Sequence, residues 1–205
     1  MSSVDFYHQL AKSLHQGAVV LATVTHVTGS VPREVGAKMI VYAGGETFST
    51  IGGGAGEAKV IRHALIVLET GEKQSVEIDL SGAPYRETQG ICGGMMWVWL
   101  ERWQGEDAIA RTHQILTKLQ AGQSITLVTP LAQNQLPYVQ NASLDGSCTP
   151  LPEAFVETIQ PPPLLLIVGA GHVGEKLAIV ARLAGFQIAV QDDRPSPFKV
   201  LFYLF

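Results

Sequence analysis

Two stretches of this chain run from a strand-like segment through clustered glycines directly into a helical pattern. They are "TFSTIGGGAGEAKVIRHALIVLETG" (47–71) and "LLLIVGAGHVGEKLAIVARLAG" (164–185). A strand that turns through glycine into a helix lays that helix back on its own sheet, so the chain is confined to α/β architectures. Glycine is the residue that takes positive φ or admits close backbone approach without steric cost. Two such junctions in 205 residues raise the question of whether both hold the same kind of ligand.

Around the first junction the periodicities alternate. Val4 to Leu14 carries apolar residues at helical spacing, and Gly17 is placed to terminate the helix. "AVVLATVTHV" (18–27) reads as a buried strand, and "AKMIVYA" and "TFSTI" form a hairpin about Gly44-Gly45. A helix over 57–70 ends before Gly71, followed by strands in "QSVEIDL" and "GGMMWVWLERW", a helix over 107–119, and strands in "SITLVTPL" and "LPYVQN". From Gln140 the pattern weakens, and Pro161 to Pro163 cannot donate backbone hydrogen bonds. The reading is therefore an N-terminal mixed α/β domain (1–140), a Pro-rich semi-rigid linker (141–163) and a short βαβ unit (164–205).

The second junction carries a dinucleotide fingerprint, with Gly169, Gly171 and Gly174 after an apolar strand expected to be buried on both faces. "FQIAVQDD" then brings Asp192 to the place where a ribose hydroxyl is held, so these four residues are the candidate dinucleotide site, for NAD(P). The unit reads as a truncated Rossmann-type βαβ, because only "FKVLFYLF" is left after "DDRPSP" to add a third strand. One such unit cannot cover both faces of its sheet, and exposed apolar surface favours a homodimer or docking elsewhere. His172 occupies a variable position of the fingerprint and is assigned no role.

The first junction fits neither nucleotide template. No Gly-Lys-Ser/Thr follows Gly52, Gly53 and Gly54, and Glu57 stands where a third fingerprint glycine would be. Successive amides in such a turn, backed by a helix N-terminus, suit an anion. Glu57 either favours the helix dipole from the first turn or faces a ligand. "GSVPREVGAK" presents Ser30, Arg33 and Lys38, whose cationic groups suit phosphate but are also ordinary surface charges. In "QGICGGMM", Cys92 is flanked by glycines that leave its sulfur open to a soft metal or to sulfur chemistry, where most free cysteines are inert core residues. The other cysteine, Cys148, reads as inert.

Composition narrows the function classes. A hydrophobic fraction of 46% with 16% charged residues describes an ordinary globular chain, and a net charge of −4 leaves no footprint for nucleic acid or an anionic membrane. No apolar run approaches a membrane span, and the N-terminus lacks signal-peptide character. Two cysteines at no metal-binding spacing suit a reducing cytoplasm.

Taken in order, "GSVPREVGAKMIV", "STIGGGAGE", "GICGGMMWVWLE" and "LLLIVGAGHVGEKLA…QIAVQDDRP" resemble the XdhC/CoxI family, the xanthine dehydrogenase accessory proteins. The resemblance covers about residues 5–105 and 160–197. It implies a non-enzymatic maturation chaperone that binds the molybdenum cofactor (molybdopterin). The chaperone holds that cofactor while a cysteine desulfurase supplies the terminal sulfido ligand, then delivers it to a xanthine dehydrogenase-type molybdenum hydroxylase. It further implies that Ser30, Arg33, Gly52 to Gly54, Glu57 and Cys92 line one pocket, with Lys38 and Gly93 beside them and Cys92 nearest molybdenum or sulfur. Two alternatives are an NAD(P)-dependent oxidoreductase built on the βαβ unit and an inactive, truncated interaction module.

Overall fold

The computed structural model describes residues 1–81, 92–140 and 153–193. Among these, helix α1 (Ser3–Leu14) precedes strands β1 (Val19–Thr28), β2 (Lys38–Val41) and β3 (Thr47–Phe48). Helix α2 (Gly54–Thr70), strands β4 (Gln74–Asp79) and β5 (Met95–Trp103) and helix α3 (Gly105–Gln120) follow. Then come β6 (Ile125–Pro130), β7 (Tyr138–Gln140), β8 (Ala154–Ile159), β9 (Leu164–Val168), α4 (His172–Leu183) and β10 (Gln187–Gln191). The chain is α/β, as its two junctions require.

The first five strands form one antiparallel sheet in the order β3-β2-β1-β5-β4. Strand β1 is central, and its unbroken apolar run reflects burial on both faces. Val20, Ala22 and Val24 join Val60, Ala64 and Val67 of α2 in one core layer. Val19 and Leu21 point the other way, into a layer built from α1, α3 and a second sheet. The period of two along a strand sorts side chains between the layers, so a one-residue slip would exchange them. Each fully buried Leu or Ile, such as Leu10, Ile40 or Ile115, contributes about 1.5–3 kcal/mol relative to exposure.

Helix ends follow local chemistry. In α1, Ser2 and Asp5 form a reciprocal capping box, with the Ser2 amide donating to Asp5 Oδ2 at 2.9 Å and the Asp5 amide donating to Ser2 Oγ at 3.2 Å. Gly71 closes α2 in the left-handed conformation, as expected.

The second sheet corrects the expected linker. Residues 154–159 form β8, which pairs antiparallel with β6 along its whole length in the order β7-β6-β8. The weak pattern of "AFVETI" arises because four of its six side chains are only partly buried. The chain's extended, Pro-rich character is kept by Pro161 to Pro163, outside any strand.

Strands β9 and β10 pair in parallel across α4, as the second junction predicts. The expected burial of β9 on both faces is not found, since Leu164, Leu166 and Val168 are exposed and Ile167 alone is buried. The expected third strand in "FKVLFYLF" and the cysteine at 148 lie outside the described residues. No helix among the described residues is long and apolar enough to cross a membrane.

Candidate functional site

Three loops meet at the end of the five-stranded sheet where β1 stops, β5 starts and α2 begins. The first follows β1: a Cβ placed on Gly29 would touch Gly94 Cα at 3.0 Å and the Gly93 carbonyl oxygen at 3.1 Å. The same loop reaches the second, because a Cβ on Gly52 would lie 2.5 Å from Pro32 Cγ. The third, Cys92 to Gly94, is fixed by two backbone bonds to the end of β4, Gly93 N–H to the Leu80 carbonyl at 2.9 Å and Leu80 N–H to that of Gly94 at 2.8 Å. Motifs more than 60 residues apart in sequence thus share one rim.

The glycine loop explains its own composition. Gly52, Gly53 and Gly54 take φ of 136°, 75° and 66° in succession, a path closed to ordinary side chains. Gly53 is the N-cap of α2 and has no side chain to cap with. Glu57 does so from inside the helix. Its Oε2 accepts from Thr50 Oγ1 at 2.5 Å and from the amides of Ile51 and Gly53 at 3.0 Å each. The carboxylate therefore fills part of the nest that an anion would otherwise take. The first-turn amides of Gly54, Ala55 and Gly56 have no partner inside the helix by α-helical geometry, and Gly54 and Ala55 are exposed.

The other candidates divide. Ser30 lies against Gly94, whose Cβ position its carbonyl oxygen overlaps. Arg33 is exposed on the same loop, with no hydrogen bond or ion pair to any described residue. Cys92 is an exposed free thiol, and Gly93 beside it has φ 83°. Lys38 is not with them: its ammonium is buried, donating to Glu157 at 2.5 Å and to the Gly36 carbonyl at 3.1 Å. Lys38 ties β2 to β8, and its partner lies 119 residues away, beyond any local sequence signal. No group of three His, Cys, Asp or Glu side chains gathers as a metal site among the described residues.

At the second junction, Gly174 sits where a Cβ would overlap the Gly169 carbonyl oxygen and touch Ile167, which accounts for the third glycine by helix–strand packing. Gly171 is the N-cap of α4 and Gly169 takes φ 106°. Asp192 Oδ2 accepts from the Ala170 amide at 2.5 Å, so the acid closes the glycine turn onto the end of β10.

Residues 14–79, which include the Arg33 and Gly52–Gly54 motifs, match the model of the XdhC and CoxI family. A probable xanthine dehydrogenase subunit of Bacillus subtilis (strain 168) is 24% identical over 216 residues, an alignment spanning 93% of this chain and 64% of that protein. A crystal structure of a xanthine dehydrogenase from Bacillus halodurans superposes with a TM-score of 0.77 at 25% identity, covering 95% of this chain and 63% of the other. The chain thus spans a little under two thirds of the length of these relatives. On its own motifs and on these likenesses, the chain is similar to the XdhC and CoxI family, whose model it matches over residues 14–79.

Proposed function

We propose that the chain is an accessory protein of a xanthine dehydrogenase-type molybdenum hydroxylase, and that the three-loop rim receives the molybdenum cofactor as cargo. The observation that carries this reading is the meeting of the Gly29–Pro32, Gly52–Gly54 and Cys92–Gly94 loops at one end of the sheet. The names of the relatives support the accessory role.

The residues present fit the chemistry of that cargo. Its phosphate calls for a guanidinium fork and helix N-terminal amides, which Arg33 and the first turn of α2 supply. Its molybdenum–dithiolene end is soft, and the Cys92 thiol is the soft donor on the rim. Glu57 is already engaged with Ile51 and Gly53, so it shapes the loop and leaves the phosphate to Arg33 and the remaining amides. Lys38 takes no part. On this reading a cysteine desulfurase sulfurates the held cofactor, the hydroxylase then receives it, and the work is done in the cytoplasm.

The test is anaerobic incubation of the purified protein with molybdenum cofactor, removal of unbound material, and fluorescence of the oxidised pterin. The wild type should retain pterin. Arg33→Ala and Cys92→Ala should each lower retention about tenfold, the effect of losing one charge-assisted or soft contact. Undiminished retention in both variants would remove the site from this rim.

A further inference from the structure

At the opposite end of the five-stranded sheet from the glycine loops, where α2 finishes and β5 runs into α3, lies a cleft of about 250 Å³. Lys73, Arg102, Trp103, Arg111, Gln133 and Leu136 are among its walls. Most of its polar groups are committed to one another. Gln133 takes the Lys73 amide on Oε1 at 2.9 Å and donates Nε2 to the Lys73 carbonyl at 2.7 Å, pinning the β6–β7 loop in place. The Lys73 ammonium is held by the Glu101 carboxylate and the Gln135 carbonyl. Arg102 Nη1 donates to the Leu68 carbonyl at 3.0 Å, satisfying the end of α2.

Arg111 is the exception among the buried and half-buried groups, beside the exposed Gln104 and Asp107 that also line the cleft. Its guanidinium carbon lies 5.2 Å from the centroid of the Trp103 ring, and it makes no hydrogen bond or ion pair to any described residue. It is only partly exposed. Burial lowers its pKa even though Glu101 on β5 and Asp107 on its own helix act to raise it, so these two carboxylates do not fully offset its desolvation. A partly buried guanidinium retains five donors in a planar fork, and stacking on an indole fixes that plane. Pro137 and Leu136 add apolar wall beside it.

We propose that this cleft binds a small carboxylate with an apolar body, the carboxylate on the Arg111 fork and the apolar part against Trp103, Leu136 and Pro137. The volume is just under the ~300–1,000 Å³ of pockets for drug-sized ligands, which limits the occupant to a small molecule. The cleft and the glycine rim lie at opposite ends of the sheet, so neither proposal depends on the other.

Titration calorimetry on the full chain tests it, with benzoate as probe and benzamide and inorganic phosphate as comparators. Benzoate should bind saturably and benzamide should not. Arg111→Gln should weaken benzoate about tenfold or more, with a circular-dichroism melt confirming the fold. Leu136 is 58% exposed, so Leu136→Glu keeps the fold and should weaken benzoate by charge repulsion. No saturable benzoate binding, wild-type affinity in folded Arg111→Gln or in Leu136→Glu, or phosphate binding tighter than benzoate would each overturn the proposal.

Discussion

Glu57 Oε2 lies 3.0 Å from the amide nitrogen of Gly53, the N-cap of the helix to which Glu57 itself belongs. A carboxylate four residues into α2 thus folds back over the loop that starts it, gathering the Ile51 amide and the Thr50 hydroxyl as well. Glu57→Ala should leave the Ile51 and Gly53 donors without this acceptor, a loss of about 1–3 kcal/mol. Glu57→Gln keeps an acceptor oxygen and should lose less. Urea denaturation gives the energies, and hydrogen exchange locates them. If the Ile51 and Gly53 amides exchange no faster in Glu57→Ala, the carboxylate is not what orders the loop.

Gly93 and Gly94 are adjacent but resist alanine for different reasons. Gly93 has φ 83° with open space where a Cβ would stand, whereas a Cβ on Gly94 would lie 2.5 Å from the Thr28 carbonyl oxygen and closer still to that of Ser30. Gly93→Ala should cost about 1–2 kcal/mol in backbone strain, relieved in Gly93→Asn because asparagine tolerates the left-handed region. Gly94→Ala and Gly94→Asn should both cost about 1–3 kcal/mol or more, since each collides with fixed backbone. The discriminating measurement is the urea midpoint of the two asparagine variants. Equal midpoints would contradict this division.

Much of the fold is legible in the sequence because its signals are local. The apolar run of β1, the helix closed by Gly71 and the two strand–glycine–helix junctions each follow from residues within a dozen positions of one another. Strand β8 reads as linker because partly buried side chains beside prolines give no clean alternation, and its partner β6 supplies what its own sequence lacks. At the site, the glycines announce a special turn, but not that Glu57 fills part of it. Lys38 carries the same signal as Arg33, a cation beside a turn. Only the packing of β8 against the rest separates them, by bringing Glu157 to Lys38. Arg111 gives no signal in the sequence, because its distinction is the lack of a partner among the described residues.

The α1 capping box makes part of the acid stability assignable. Asp5 experiences burial, which raises its pKa, but the Ser2 hydrogen bonds outweigh it and the net shift is downward. A depressed carboxyl pKa stabilises the folded state above the unfolded value of about 3.9, and that contribution disappears as pH falls through the folded pKa. Asp5→Asn should therefore destabilise the protein at neutral pH and converge on the wild type at the acid end. The effect should be small, because Asp5 is exposed. Stability curves that stay parallel below pH ~4 would assign the acid dependence to other groups.

The Lys73–Glu101 pair offers the largest change. Both side chains are almost wholly buried, at 5% and 3% exposure. Burial raises the Glu101 pKa, with the Lys73 hydrogen bond and charge opposing the rise. Removing either partner strands a charge in the core, so Lys73→Met or Glu101→Leu alone should cost about 3–5 kcal/mol, while the double replacement should recover most of that loss. The two single variants also separate by pH. A carboxyl with a raised folded pKa favours the folded state below the unfolded value of about 4.3, and the advantage is lost as pH rises through the folded pKa. Lys73→Met leaves Glu101 without its cation and raises that pKa further, so its deficit should be largest at neutral pH and shrink on acidification as the carboxyl protonates. Glu101→Leu has no carboxyl to protonate and should show no such recovery. Denaturation midpoints of the three variants between neutral and mildly acidic pH decide the matter. A Lys73→Met deficit that stays constant over that range would mean the buried carboxylate is not the source of the cost.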